Sequence, residues 1–151
     1  MNQKKRKSIP LADIERIIRN ANIRSNMVRT YVLRCLFSYG RPLSHGEILE
    51  DGDMEDFDRV TVYRTLAKLQ EAKLVHIIEG TDGIRRYCAH YPGKHNCPGD
   101  HPHFICQECG TMICLTGQKM PRVEVPDDVI VKGKQFLVYG ICKDCAEKYN
   151  H

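Results

Sequence analysis

Long hydrophobic runs are missing from this chain. No apolar stretch in its 151 residues approaches the ~20 that a membrane-spanning helix needs. The basic start, Met1 to Lys7, is not followed by the hydrophobic segment an export leader requires. These absences predict a cytoplasmic protein with reduced thiols and no membrane partner. Residues 91–151 are also short of large apolar side chains, so a core of ordinary size is not expected there and something besides apolar burial must stabilise that part. No set of nucleophile, base and orienting group can be assembled either, although Cys-x-x-Cys pairs occur in oxidoreductases and histidine-rich loops in hydrolases. An enzyme and a small-molecule substrate are therefore not expected.

What the chain does have is cysteine in pairs. Cys106/Cys109 and Cys142/Cys145 form two Cys-x-x-Cys turns, and two such turns brought together offer four thiolates to one tetrahedral zinc ion. Gly110, directly after the first pair, suits the tight turn that aims backbone amides at sulfur. A closed four-thiolate shell leaves no open position, so the expected zinc is structural, and its binding can contribute folding free energy on the order of 10 kcal/mol. Two disulfides or a redox dithiol are the alternatives. Closely spaced Cys-x-x-Cys thiols make poor structural disulfides, and nothing suggests export.

The net charge of +4 is unevenly spread. Residues 1–90 hold 16 basic against 12 acidic side chains and residues 91–151 hold 7 of each, so the whole excess lies in the first part. Residues 1–41 have ten basic and two acidic side chains, whereas residues 47–58 have seven acidic and none basic. The basic segment reads as a surface that neutralises phosphates, with a merely solvated face as the alternative. The acidic stretch reads as a solvated loop.

Apolar periodicity predicts helices first. Leu11, Ile14 and Ile18 form one stripe, and Val28, Val32, Cys35, Leu36 and Tyr39 form a longer one ended by Gly40 and Pro42. Ser44-His45-Gly46-Glu47 has the form of a capping box opening a short third helix. Asp58 is placed to cap a fourth, with Val62, Leu66 and Leu69 inward, Thr61, Arg64 and Lys68 outward and Tyr63 on the flank. Leu74–Ile78 and Ile84–Cys88 then flank Gly80-Thr81-Asp82-Gly83 and predict a hairpin. Helices followed by a hairpin make a winged helix whose last helix enters the major groove of double-stranded DNA. Arg64 suits guanine or phosphate, and the Tyr63 ring suits a thymine methyl or packing against a neighbouring helix.

Asp58-Arg59-Val60-Thr61-Val62-Tyr63-Arg64-Thr65-Leu66 resembles the recognition-helix signature of the ferric uptake regulator family. His101-Pro102-His103-Phe104-Ile105-Cys106-Gln107-Glu108-Cys109-Gly110 resembles that family's metal-binding strand. The likeness runs from Asn22-Ile23-Arg24 through Arg29 and the wing to Tyr139-Gly140-Ile141-Cys142-Lys143-Asp144-Cys145. It implies an α+β chain with an N-terminal winged-helix DNA-binding domain, residues 1–89, and a small zinc-stapled α/β dimerisation domain, residues 90–151. It also implies a homodimer on an operator, with Arg24 reaching the minor groove and Arg59, Thr61, Tyr63 and Arg64 facing DNA.

Beyond the four paired cysteines, His76, Cys88, His103 and Cys114 resemble the sensor site of the family's zinc-uptake branch, with His101 able to replace His103. The position held by Cys114 is usually acidic in that branch. Sulfur in place of oxygen moves selectivity toward Zn(II), or Cu(I), and away from Fe(II) or Mn(II). The resemblance therefore implies a zinc-responsive repressor of metal-uptake genes. An iron- or peroxide-responsive repressor is the nearest alternative, and a thiol redox switch using Cys35, Cys88, Cys97 and Cys114 is another. His90, His95 and Cys97 read as an extra weak site or as loop residues. The family's further metal site would need ligands where this chain has Pro102 and Lys134, so that site is not expected. Gly117 to Pro126 is too short and proline-broken for the helix usual there.

Overall fold

The structure, a computed structural model, describes residues 8–89 and 101–149. The basic residues of Met1 to Lys7 and the ligand candidates His90, His95 and Cys97 lie outside the described residues.

The first part is built on four helices, and short polar side chains open the last three. Helix α1 (Leu11–Asn20) buries Ile14 and Ile18. Helix α2 (Met27–Tyr39) starts at Asn26, whose side chain accepts the Arg29 amide at 2.8 Å, and stops at left-handed Gly40. The Ser44/Glu47 capping box is present at α3 (His45–Leu49). Asp58 accepts the Thr61 amide at 2.8 Å and so opens α4 (Arg59–Glu71). Val62, Leu66 and Leu69 of α4 meet Ile14, Val32 and Leu36 in the main core, where all are essentially inaccessible. Strands β1 (Leu43–Ser44), β2 (Val75–Glu79) and β3 (Arg85–Ala89) form an antiparallel sheet in the order β1-β3-β2. The winged helix is therefore present, with a short strand β1 that periodicity could not have signalled.

Two charge expectations need correction. The acidic stretch is not simply a solvated loop, because Asp51 is buried and caps a single 3₁₀ turn, Gly52–Met54, that drives Met54 into the core. Asp51 also accepts from the Tyr39 hydroxyl at 3.2 Å, and Asp53 pairs with Arg34 at 2.8 Å. The basic segment is correspondingly not all available to phosphate. Arg34 is held by Asp53, and Arg41 is mostly buried against Glu47 at 3.0 Å.

In the second part, β4 (His103–Cys106) lies antiparallel to β5 (Met112–Cys114) and parallel to β6 (Leu137–Gly140), and α5 (Lys143–Tyr149) follows. Residues 115–136 form neither helix nor strand. Apolar burial here is small: Ile105 and Met112 pack with Ile78 and Cys88 of the hairpin, and Leu137 and Cys114 lie against them. Among the described residues, no helix is long and apolar enough to cross a membrane.

Polar ties reinforce that small contact. The Gln135 side chain donates to the Glu79 carbonyl at 2.8 Å and accepts the Glu79 amide at 3.2 Å. Arg86 is 2% exposed, yet its guanidinium makes a bidentate pair with Asp82 at 2.8 and 2.9 Å and donates to the Gly110 carbonyl at 2.8 Å. Gly80 makes room for this arrangement, since a Cβ there would stand 2.3 Å from the Arg86 guanidinium and 2.9 Å from Ile105 Cδ1. The Arg86 hydrogen bonds hold the Asp82 carboxyl down at about 2.

Removing the carboxylate leaves a buried cation short of its partner, so Asp82→Ala is expected to lower unfolding free energy by roughly 2 kcal/mol in chemical denaturation, the scale of hydrogen bonds to charged groups. Because the folded pKa of Asp82 is depressed, its contribution is complete above the ordinary value of 3.8 and disappears as pH falls through about 2. The stability difference between wild type and Asp82→Ala should therefore shrink across that window.

Candidate metal centres and nucleic-acid interface

The turn after β4 brings the two Cys-x-x-Cys pairs together. Gly110, at φ +74°, lets the chain reverse so that its amide donates to the Cys106 carbonyl at 2.9 Å. Gln107 donates to the Gly140 carbonyl at 2.7 Å, and the Cys142 amide donates to Cys106 Sγ at 3.3 Å. The sulfurs of Cys106, Cys109, Cys142 and Cys145 consequently all lie within 4.8 Å of one another, with Cys109 and Cys142 3.8 Å apart. Tetrahedral zinc with bonds of about 2.3 Å demands sulfur separations of about 3.8 Å, so the donor set fits that ion.

Electrostatics point the same way. Burial opposes ionisation of Cys106, but hydrogen bonds from the amides of Cys109, Cys142 and Glu108 prevail and lower it to about 6. Cys145 is pushed up to about 12 by burial and by the sulfurs of Cys142, Cys109 and Cys106. Four sulfurs this close cannot all carry negative charge without a cation among them.

A second donor cluster lies at the start of β4. His101 and His103 are both buried, their ring centroids are 4.7 Å apart, and their nitrogens lie within 4.8 Å of each other and of Cys114 Sγ. Cys114 faces His103 across the β4–β5 ladder. From the hairpin, Cys88 brings its sulfur to 3.9 Å from that of Cys114, and His76 stands opposite Cys88 across the β2–β3 ladder. His101 Nε2 is buried and has no hydrogen-bond partner among the described residues, as a nitrogen meant for a cation would be. The compact set is thus His101, His103 and Cys114, with Cys88 beside it. His76 shares a face with Cys88 but is not among the donors that lie within 4.8 Å of one another. Both imidazoles enter the cluster, where the sequence suggested one in place of the other.

The outer face of α4 presents Arg59, Thr61, Tyr63 and Arg64, all exposed, and Arg24 is exposed ahead of α2. Tyr63 is 52% exposed and its ring lies 5.8 Å from that of His45, so it neither enters the core nor swings free. His45 also bonds the Arg59 carbonyl at 3.1 Å, and burial lowers its pKa, favouring the neutral ring at pH 7. Two residues of this face escaped the sequence reading. Val60 is 53% exposed beside Tyr63 and offers an apolar contact, a departure from the buried norm that only an otherwise regular stripe reveals. His45 was read only as part of a capping box, and nothing in the spacing links it to Tyr63.

Comparison with known proteins supplies the remaining evidence. Residues 20–137 match the sequence model of the ferric uptake regulator family. The chain is 33% identical over 95 residues to the ferric uptake regulation protein of Bacillus subtilis (strain 168), a match spanning 58% of this chain and 60% of that protein. It is 25% identical over 137 residues to the peroxide-responsive repressor of Staphylococcus aureus (strain NCTC 8325), covering 87% and 88% of the two chains. A zinc uptake regulator solved in complex with zinc and DNA superposes with a TM-score of 0.63 at 22% identity, over 93% of this chain and 95% of that one. At that identity the superposition establishes the shared fold, a winged helix followed by a second, smaller unit. With the family match running from the end of α1 to the beginning of β6, the chain belongs to the ferric uptake regulator family, whose members are metal-responsive transcriptional regulators and not enzymes.

Proposed function

We propose that the protein is a zinc-responsive DNA-binding repressor of metal-uptake genes that acts as a homodimer, with residues 1–89 reading DNA and residues 90–151 dimerising. The observation that carries this reading is the second cluster, in which His101, His103 and Cys114 converge and Cys88 of the hairpin brings its sulfur to 3.9 Å from that of Cys114. Two sulfurs and two imidazoles are soft and borderline donors, a set that suits Zn(II) and disfavours Fe(II) or Mn(II). Zn(II) bound there would supply a positive charge that all four donors share. Cys106, Cys109, Cys142 and Cys145 would hold a separate structural zinc.

The regulatory step is then a choice between arrangements. Cys88 and His76 belong to the hairpin that follows α4 directly, while His101, His103 and Cys114 belong to the second sheet. Donors that must converge favour the one orientation of α4 in which they do. In a dimer, two recognition helices have to lie about 34 Å apart to enter successive major grooves. DNA must in turn tighten metal binding by the same factor. On α4, Arg59 and Arg64 would hold phosphate or guanine, with Tyr63 and Val60 against thymine methyls and Thr61 at the groove edge. Arg24 would reach the neighbouring minor groove. For the dimer, the outer face of the second sheet exposes Ile113 and Val138 on either side of the half-buried Phe104 of β4, and Ile130 nearby in sequence is 84% exposed. Exposed apolar surface on that scale suits a subunit interface.

Cys88→Ser and Cys114→Ser chains are expected to keep one zinc each and remain dimeric, while losing the rise in DNA affinity that follows a second zinc in the wild type. Metal analysis, sedimentation and binding to DNA selected from a random-sequence pool check this. Equal DNA affinity of the wild type with one and with two zinc ions overturns the sensor reading. Tyr63→Ala is expected to weaken binding to the selected site by about 1–3 kcal/mol and relax preference at the contacted base, whereas Arg24→Ala should also flatten the salt dependence. Val138→Asp should move the sedimenting species toward monomer.

A further inference from the structure

Tyr63 is the single aromatic side chain of α4, and its presentation is not left to α4 alone. A tyrosine on a bare helix surface samples two staggered χ1 positions, so a base contact that needs one of them must first immobilise the ring. Here a ring from another helix stands beside it. His45, the first residue of α3, has its centroid 5.8 Å from that of Tyr63 at an interplanar angle of 60°, a tilted arrangement within the range of aromatic pairs. The far end of Tyr63 reaches toward the wing. Burial and then the Tyr63 hydroxyl push the Tyr87 phenol of β3 above its ordinary value, with Arg85 opposing them.

His45 is itself firmly held. The capping box fixes its backbone, since Ser44 accepts the Glu47 amide at 3.1 Å and Glu47 accepts the Ser44 amide at 3.1 Å. Its Nε2 lies 3.1 Å from the Arg59 carbonyl, which can only accept, so Nε2 carries the proton. Arg59 and Tyr63 are one turn apart, and in a regular helix the Arg59 carbonyl also receives the Tyr63 amide. Two lone pairs let it serve both donors. Burial lowers the His45 pKa, and the charge of Arg59 adds to this against the raising effect of the bond to its carbonyl. The ring is therefore neutral at pH 7 and contributes shape instead of charge.

We propose that His45 is a positioning residue for DNA reading, a ring braced on the first turn of α4 that holds Tyr63 in the conformation that meets a base. This inference rests on reading the outer face of α4 as the DNA-contacting surface. Immobilising a side chain on binding costs a factor of about three to ten in affinity, and a brace already in place removes that factor. The gain exists only where Tyr63 is used. On unrelated duplex, held through its phosphates, the brace contributes nothing.

The test uses the full-length, zinc-loaded chain and a duplex carrying the site that the wild type selects from a random-sequence pool. The contacted base pair is the one at which Tyr63→Ala relaxes preference. Affinity is measured on that site, on the site with this pair exchanged, and on an unrelated duplex at several salt concentrations, alongside chemical denaturation. His45→Ala is expected to lose roughly three- to tenfold on the selected site and to relax preference at the same pair, while keeping its affinity and salt slope on unrelated DNA. In a Tyr63→Ala background the same substitution should cost less than about twofold, because the brace then has nothing to hold. Two further variants separate the ring from the bond. His45→Phe keeps a flat ring against Tyr63 and should retain the preference. His45→Gln, whose amide nitrogen is as many bonds from the backbone as Nε2, should recover the stability lost in His45→Ala but not the preference.

Losses that simply add in the double variant overturn the proposal, since the two side chains then act independently. A smaller salt slope for His45→Ala on all DNA makes His45 a phosphate contact and overturns it as well. Full preference in His45→Gln with none in His45→Phe assigns the effect to the Arg59 bond and has the same result. If Tyr63→Ala relaxes preference and His45→Ala does not, this inference fails while the DNA-contacting face of α4 stands. If Tyr63→Ala leaves every preference unchanged, that face is misassigned and the inference falls with it.

Discussion

A buried guanidinium holds the two parts of this molecule in register. Arg86 is almost wholly removed from water and divides its hydrogen bonds between Asp82 in the hairpin turn and the Gly110 carbonyl in the cysteine turn. A cation in that position is tolerated only while both partners remain in place, so the hairpin cannot drift from the second sheet without exposing an unsatisfied charge to a poor environment. Side chains alternate along a strand, and Arg86 and Cys88 therefore leave β3 on the same face. The pleat that aims Arg86 at the cysteine turn also aims Cys88 at Cys114. Across the ladder, Ile78 and His76 share that face as partners of Arg86 and Cys88.

Strand β4 organises the rest. His103 opens it and Cys106 closes it, so one four-residue strand carries a donor of each cluster at its two ends, about 10 Å apart at ordinary strand rise. Among the described residues, Ile105 and Met112 are the only large apolar side chains of the second sheet that are fully buried, and packing that slight cannot hold two ligand sets in place. Directional bonds do it instead, from Gln107 to Gly140, from Cys142 to Cys106 and from Leu115 to Pro102. The donors sit near the ends of this scaffold, where chain reversal brings distant residues together.

What could be read from the sequence was what local spacing encodes. The stripes of α1, α2 and α4, the capping box at Ser44 and Glu47, the Asp58 cap and the hairpin all follow from residues within a turn or two of each other. The paired cysteines were equally legible, because ligand spacing inside each pair is local even though the pairs are far apart. Interactions between distant residues were not legible. Asp51 and Asp53 looked like loop acids because their partners, Tyr39 and Arg34, lie on another element. Arg86 was only one residue of a hairpin strand, and nothing near it in sequence announces Gly110. Strand β1 is two residues long, too short for alternation to register. The closeness of His101 to His103 was visible as alternation around Pro102, but their joint approach to Cys114 required the sheet.

Gln135 carries a further consequence. In the order β1-β3-β2, strand β2 is an outer strand, and such strands offer unpaired amides and carbonyls to any passing chain. Gln135 lays its side-chain amide against Glu79 as a peptide group would, donating to the carbonyl and accepting from the amide. A single side chain thus acts as a stopper at the end of an open ladder, keeping the wing from zipping onto copies of the same chain.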